Sequence, residues 1–144
     1  MRIVTPAIES YFASLQSRLD EASRVPFKAV SIAEWLPLPS QCHKNVDYWI
    51  AGRLKSRRVR GWLTWGKDEA GSCLFIAHSI VDDNGILYDI TPIDSNTPPL
   101  IFLKHIGSRE AFDAMQPTWS SSVYPFIFEV PQESGEFEED AEYN

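Results

Sequence analysis

Hydrophobic positions recur at helical spacing near the start of the chain. Ile8, Phe12, Leu15, Leu19 and Ala22 form one stripe, which predicts an amphipathic helix. Thr5 then stands at the N-cap and Pro6 at the first helical position, where a missing N–H costs nothing. The helix is expected to end before Pro26. Ser31 and Glu34 have capping-box spacing for a short turn ending at Pro37. A second helix is expected over residues 41–55, capped by Ser40 and burying Val46, Trp49, Ile50 and Leu54. Cys42 lies one helical turn before Val46, on the same face. Further on the apolar residues bunch and alternate instead. The runs 59–65, 73–81 and 86–91 read as three antiparallel strands, the last two joined through Asp82-Asp83-Asn84-Gly85. Leu100–Lys104 reads as a short strand and Ser108–Met115 as a short helix capped by Ser108. Val123–Phe128 reads as a last strand whose Pro125 suits an edge or a bulge. Helices first and an antiparallel sheet after make an α+β fold, with the Cys42 helix packed on the sheet.

Composition narrows this to one domain. A chain of 144 residues, 44% hydrophobic, can bury one core, and residues 1–130 are expected to supply it. The net charge of −7 comes from the end of the chain. Glu129, Glu133, Glu136, Glu138, Glu139, Asp140 and Glu142 stand there without a base, and setting these seven aside from the 20 acids balances the rest against 13 bases. The body therefore has no nucleic-acid footprint, and residues 131–144 read as a solvated, disordered acidic tail. No apolar run nears the ~20 residues that span a bilayer, and Met1–Pro6 lacks the apolar stretch of a signal peptide. A cytoplasmic placement is expected, unless a dedicated machine exports the protein. Lys55, Arg57, Arg58 and Arg60 form a basic run that serves either as solvated charge at a helix end or as a dock for an acidic partner, the protein's own tail included.

The chemistry gathers at three positions. A thiol needs ionising before it attacks, and a helix N-terminus and a nearby imidazolium both favour the thiolate. Cys42 at a helix start meets the first need, and its own N–H can donate to an oxyanion, with Gln41 or Asn45 as a second donor. His78 and Asp89 supply the rest. A turn centred on Asp83-Asn84 pairs 78 with 89. A turn centred on Asn84-Gly85 pairs 78 with 91 and leaves 89 diagonal. Either way the two side chains share a face, and the carboxylate can orient the imidazole.

Other groupings compete. His43 and His105 are rival bases, although His43 points about 100° away from its neighbour Cys42. Cys42, His43, Cys73 and His78 could hold zinc, but the spacing matches no finger or ribbon, and Cys73 and His78 face opposite sides of one strand. No metal or cofactor is therefore called for. Two cysteines do not make a disulfide scaffold. Trp62 and Trp65 have opposite parity, so one of them borders the cleft; Trp62 is taken as a substrate contact.

Cysteine at a helix start in Gln41-Cys42-His43, histidine on a strand in Ala77-His78-Ser79, and a carboxylate on the next strand in Tyr88-Asp89-Ile90-Thr91-Pro92 resemble the papain-like superfamily, its transglutaminase-type and NlpC-type hydrolases in particular. The resemblance covers residues 38–92. It implies a papain-like core with Cys42 as nucleophile, His78 as base and Asp89 as orienter. The glutamine six residues upstream in papain-type peptidases is replaced by Leu36. The resulting expectation is a cysteine-dependent hydrolase or acyl transferase acting on an amide: a peptidase, amidase, glutamine deamidase or transglutaminase. A non-enzymatic interaction module on the same fold and a zinc-binding module are the alternatives.

Overall fold

A computed structural model describes residues 5–94, 96–115 and 127–130. The acidic tail and Pro125 lie outside these residues. Thr5 caps the first helix as expected, its Oγ1 accepting from the Ile8 N–H at 3.2 Å, and Pro6 opens α1 (Pro6–Ser17). A 3-10 turn over Leu19–Glu21 continues the stripe. Residues 32–35 close a tight turn through two backbone hydrogen bonds between Ile32 and Trp35. Then come α2 (Cys42–Ile50), β1 (Ser56–Thr64), β2 (Cys73–Asp83), β3 (Ile86–Tyr88), β4 (Ile101–Lys104), α3 (Arg109–Ala114) and β5 (Ile127–Val130). The Ser108 hydroxyl caps α3 by accepting from the Ala111 N–H.

Two expectations about α2 are corrected. It ends at Ile50 rather than Lys55, with Gly52 just beyond, and Leu54 is fully exposed instead of buried. Its N-cap is Gln41, and no side chain caps it. Ser40 instead takes a left-handed φ of 62°, turning the chain into the helix. A residue with a Cβ tolerates that region poorly, and local strain of this kind gathers at functional sites.

The strands pair antiparallel in the order β3-β2-β1-β4, with β5 also on β2. β2 is the spine. One edge pairs with β1 from Ile76 to Asp83. The other is shared: β5 pairs with Cys73 to Ile76, and β3 with Val81 to Asp83. Residues 77–80 lie between these two ladders and have no strand partner on that edge among the described residues.

Parity separates the two faces. One carries Trp62, Phe75, Ala77 and Leu103 under Phe12 and Leu15 of α1 and Phe112 of α3, and beside them Val81, Tyr88 and Ile90 under Val46 and Trp49 of α2. The other face carries Leu63, Ile80 and Phe102, covered by Val25 and Leu100. Gly61 lies opposite His78 on this second face. A Cβ there would sit 2.4 Å from the Leu103 carbonyl oxygen and 2.5 Å from the Phe102 ring. Backbone cannot yield that much, so Gly61→Ala is expected to destabilise the fold by roughly 1–3 kcal/mol. Denaturant unfolding measures this, and an unchanged midpoint would contradict the close packing of β1 on β4.

Candidate functional site

The hairpin turn decides the site. Asn84 and Gly85 both take positive φ, 57° and 97°, as a two-residue type I′ turn requires. Asp83 then pairs with Ile86 and Val81 with Tyr88. Of the two registers open to the sequence, this is the one that sets His78 against Thr91 and leaves Asp89 diagonal. The diagonal is within reach: His78 Nε2 donates to Asp89 Oδ2 at 2.7 Å. The other carboxylate oxygen accepts from the Thr91 N–H at 3.0 Å. The Asp89 backbone is fixed from outside the hairpin, its N–H donating to Pro26 and its carbonyl accepting from Lys28.

His78 and Asp89 project from the face opposite α2, and Phe102 packs on the His78 ring with centroids 6.4 Å apart. Cys42 arrives from the α2 face. The two come together at β2, where sulfur and imidazole share a hydrogen bond. As a thiol, the sulfur donates to the Ala77 carbonyl at 3.8 Å. Asp89 occupies Nε2 of His78, which leaves Nδ1 for the sulfur.

Cys42 and His78 are only 2% and 4% exposed. Burial alone pushes the Cys42 thiol up. The charge of His78 beside it, with hydrogen bonds from His43 and His78, outweighs burial and pulls it down to about 5. Burial also pushes His78 down, but the Cys42 thiolate and the Asp89 carboxylate hold it up at about 10. Each group thus favours the charged form of the other, thiolate beside imidazolium. Cys42 is the first residue of α2, and among the described residues nothing accepts from the N–H groups of Cys42, His43 or Lys44. These donors form the positive end of the helix.

The supporting residues divide. Gln41 immediately precedes the sulfur-bearing residue, and its side chain makes no capping bond. Asn45 holds two other segments: its amide donates to the Leu38 carbonyl at 2.8 Å and to Thr91 Oγ1 at 3.0 Å, while its oxygen accepts from the Leu38 N–H. Both amide hydrogens are engaged, so Asn45 is a clamp and has no donor left for an oxyanion. Trp62 is fully buried among Phe12 and Phe112, donating to Tyr11, and is core rather than a substrate contact. Of the two opposite-parity tryptophans, Trp65 is the exposed one.

His43 stays close to the sulfur despite its helical offset, with Nδ1 3.8 Å away. His105 lies elsewhere, both ring nitrogens engaged by Tyr11 and the Ser108 carbonyl. Cys73 sits in the α1 core beside Gln16, its thiol pushed up by burial, apart from the other three residues of the zinc grouping. Arg57, Arg58 and Arg60 of the basic run lie on β1 rather than at a helix end, with Lys55 just before it, and Arg58 and Arg60 turn to Asp47 of α2 at 2.8 and 3.3 Å. A cleft of about 730 Å³, walled by Val25, Phe27, Leu63, Leu100 and Phe102, borders Asp89 and Thr91. It lies behind the carboxylate and does not touch Cys42. No family model, curated protein or solved structure matches the chain.

The buried pair has a signature in stability. His78 is raised from 6.5 to about 10, so its contribution is complete below 6.5 and lost as pH rises towards 10. Cys42 is lowered from 9.0 to about 5, so its contribution is complete above 9.0 and lost as pH falls towards 5. The two slopes cancel between 6.5 and 9.0. Thermal unfolding of the wild type is therefore expected to show a plateau across that window that falls on both sides, and Cys42→Ala should lose the acid shoulder. Identical pH profiles for the two proteins would refute the ion pair.

Proposed function

We propose that the protein is a cysteine-dependent hydrolase or acyl transferase acting on an amide, built on a papain-like arrangement. One observation carries the reading: a buried histidine stands between a carboxylate 2.7 Å from its Nε2 and a thiol drawn down to about 5. A structural cysteine has no need of such neighbours, since burial alone leaves it protonated and inert.

In the proposed reaction the Cys42 thiolate attacks the amide carbonyl carbon. The electron pair of the C=O bond moves to oxygen. The Cys42 N–H, with Gln41 as second donor, holds that oxyanion. Collapse of the intermediate expels the nitrogen, which takes the proton from His78 Nδ1. The acyl group is now a thioester on Cys42. Water or an acceptor amine attacks it next, His78 takes the proton of this second nucleophile, and the C–S bond returns its electrons to sulfur. Asp89 keeps the proton on Nε2 throughout and so holds the ring in one orientation. Peptidase, amidase, deamidase and transglutaminase outcomes differ only in which amide enters and which nucleophile finishes.

The test is an intact-mass experiment with a panel of peptide, glutamine and small amides. The wild type is expected to form an acyl adduct on Cys42, and Cys42→Ala to lose turnover by about 10³-fold or more. Turnover that survives Cys42→Ala, or a wild type that neither turns over the panel nor forms an adduct, would sink the proposal.

A further inference from the structure

Cys42 has a second imidazole beside it that the proposed reaction does not use. Adjacent residues on a helix point about 100° apart, so His43 should face away from the sulfur. Something turns its ring back. His43 Nδ1 lies 2.6 Å from Ser79 Oγ as well as 3.8 Å from Cys42 Sγ. Ser79 is fully buried on β2, one residue from His78, and it accepts from Arg60 Nη1 at 2.6 Å. Arg60 on β1 is held in turn by Asp47 of α2 at 3.3 Å, with its own side chain 8% exposed. Phe112 of α3 closes the other side of the His43 ring, edge to face at 5.7 Å. A chain of polar contacts thus leaves α2 at Asp47, crosses both central strands and returns to α2 at the sulfur.

Burying a guanidinium and a hydroxyl is costly unless both are bonded, and here the bonds fix one ring. The charged and titratable groups around that ring are Cys42 and Asp47 on its own helix, Arg60 on β1 and His78 on β2. α3 contributes Asp113, which acts on Arg60.

We propose that His43 is a positioning residue for the Cys42 sulfur, its Nδ1–H aimed by Ser79 and Arg60 and shared between the serine oxygen and the thiolate. The inference rests on the reading of Cys42 as nucleophile. Its chemical sense lies in the second half of the reaction. When water attacks the thioester, His78 is accepting the proton of water and is not yet an imidazolium. The bond from water oxygen to acyl carbon forms, the C–S bond breaks, and its electron pair goes to sulfur. A donor independent of His78 stabilises the departing thiolate at that moment. A bare nitrogen lone pair facing the thiolate would repel it, so the proton belongs on Nδ1. The hydrogen bond from His43 to the thiol acts in the same direction as the charge of His78.

The experiment follows iodoacetamide alkylation of Cys42 against pH, read by peptide mass on the full chain. The proteins are wild type, His78→Gln, His43→Ala, His43→Asn and Ser79→Ala. His43→Ala and Ser79→Ala are expected to raise the midpoint by about one pH unit, tenfold in thiolate fraction. His43→Asn, whose amide can donate from a similar place, should recover most of the shift. A midpoint that moves with His78→Gln but not with His43→Ala or Ser79→Ala overturns the inference and leaves the nucleophile reading intact. A wild-type Cys42 that alkylates like an ordinary thiol and ignores His78→Gln removes both. Should the alanine variants fail to fold, nitrogen-15 NMR of wild-type imidazoles decides at a pH where Cys42 is ionised. A proton on His43 Nδ1 supports the assignment, and a proton on Nε2 only overturns it.

Discussion

Everything at the candidate site depends on the register of one hairpin. Side chains alternate along a strand, so a slip of one residue between β2 and β3 would send Asp89 to the face that α2 covers and leave His78 without a carboxylate. The register is held by two residues able to accept positive φ, Asn84 and Gly85, and is reinforced from both faces. Tyr88 and Ile90 are anchored against Val46, Val81 and Trp49 on one side, while Asp89 is tied to Pro26 and Lys28 on the other. A slipped hairpin would lose a hydrophobic cluster and a buried hydrogen bond together, so the competing pairing is penalised twice.

The second constraint is topological. The helix that carries the sulfur packs on one face of the sheet, and the imidazole projects from the other, against Phe102. The two meet at the level of the strand itself. The sulfur reaches the backbone of β2 at the Ala77 carbonyl, and His78 is the next residue along, so the strand that carries the histidine also presents it to the thiol.

Much of this was legible in the sequence, because it follows from local rules. Thr5-Pro6 and Ser108 mark helix starts by capping chemistry, and Asn84-Gly85 marks its turn by φ preference. The shared face of His78 and Asp89 follows from counting by twos. What was not legible depends on contacts far along the chain. Trp62 has the composition of a groove residue and becomes core only because α1 and α3 close over it. Asn45 looked like a free donor until Leu38 and Thr91 engaged its amide. The basic run looked solvated because nothing local shows that Asp47, one helix away, faces Arg58 and Arg60. Helical offset set His43 aside, and its return to the sulfur depends on Ser79 and a buried arginine on another strand. The early end of α2 had a local signal in Gly52 that the apolar Leu54 outweighed.

The clamp made by Asn45 has a consequence for how the protein tolerates change. Lys28 is pinned to Asp89, and Leu38 is pinned to Asn45. The stretch from 29 to 37 is thus a loop with both feet nailed to the site. Val30 and Trp35 pack on the Val46 cluster, but residues 31–34 between them are exposed, and lengthening the loop there costs only about 0.6 kcal/mol per doubling. Insertions, deletions or a grafted recognition element could be accepted there while the sulfur, the imidazole and the carboxylate kept their places. The fold in this sense carries a socket beside its candidate site, where a new surface can be added without rebuilding the arrangement of Cys42, His78 and Asp89.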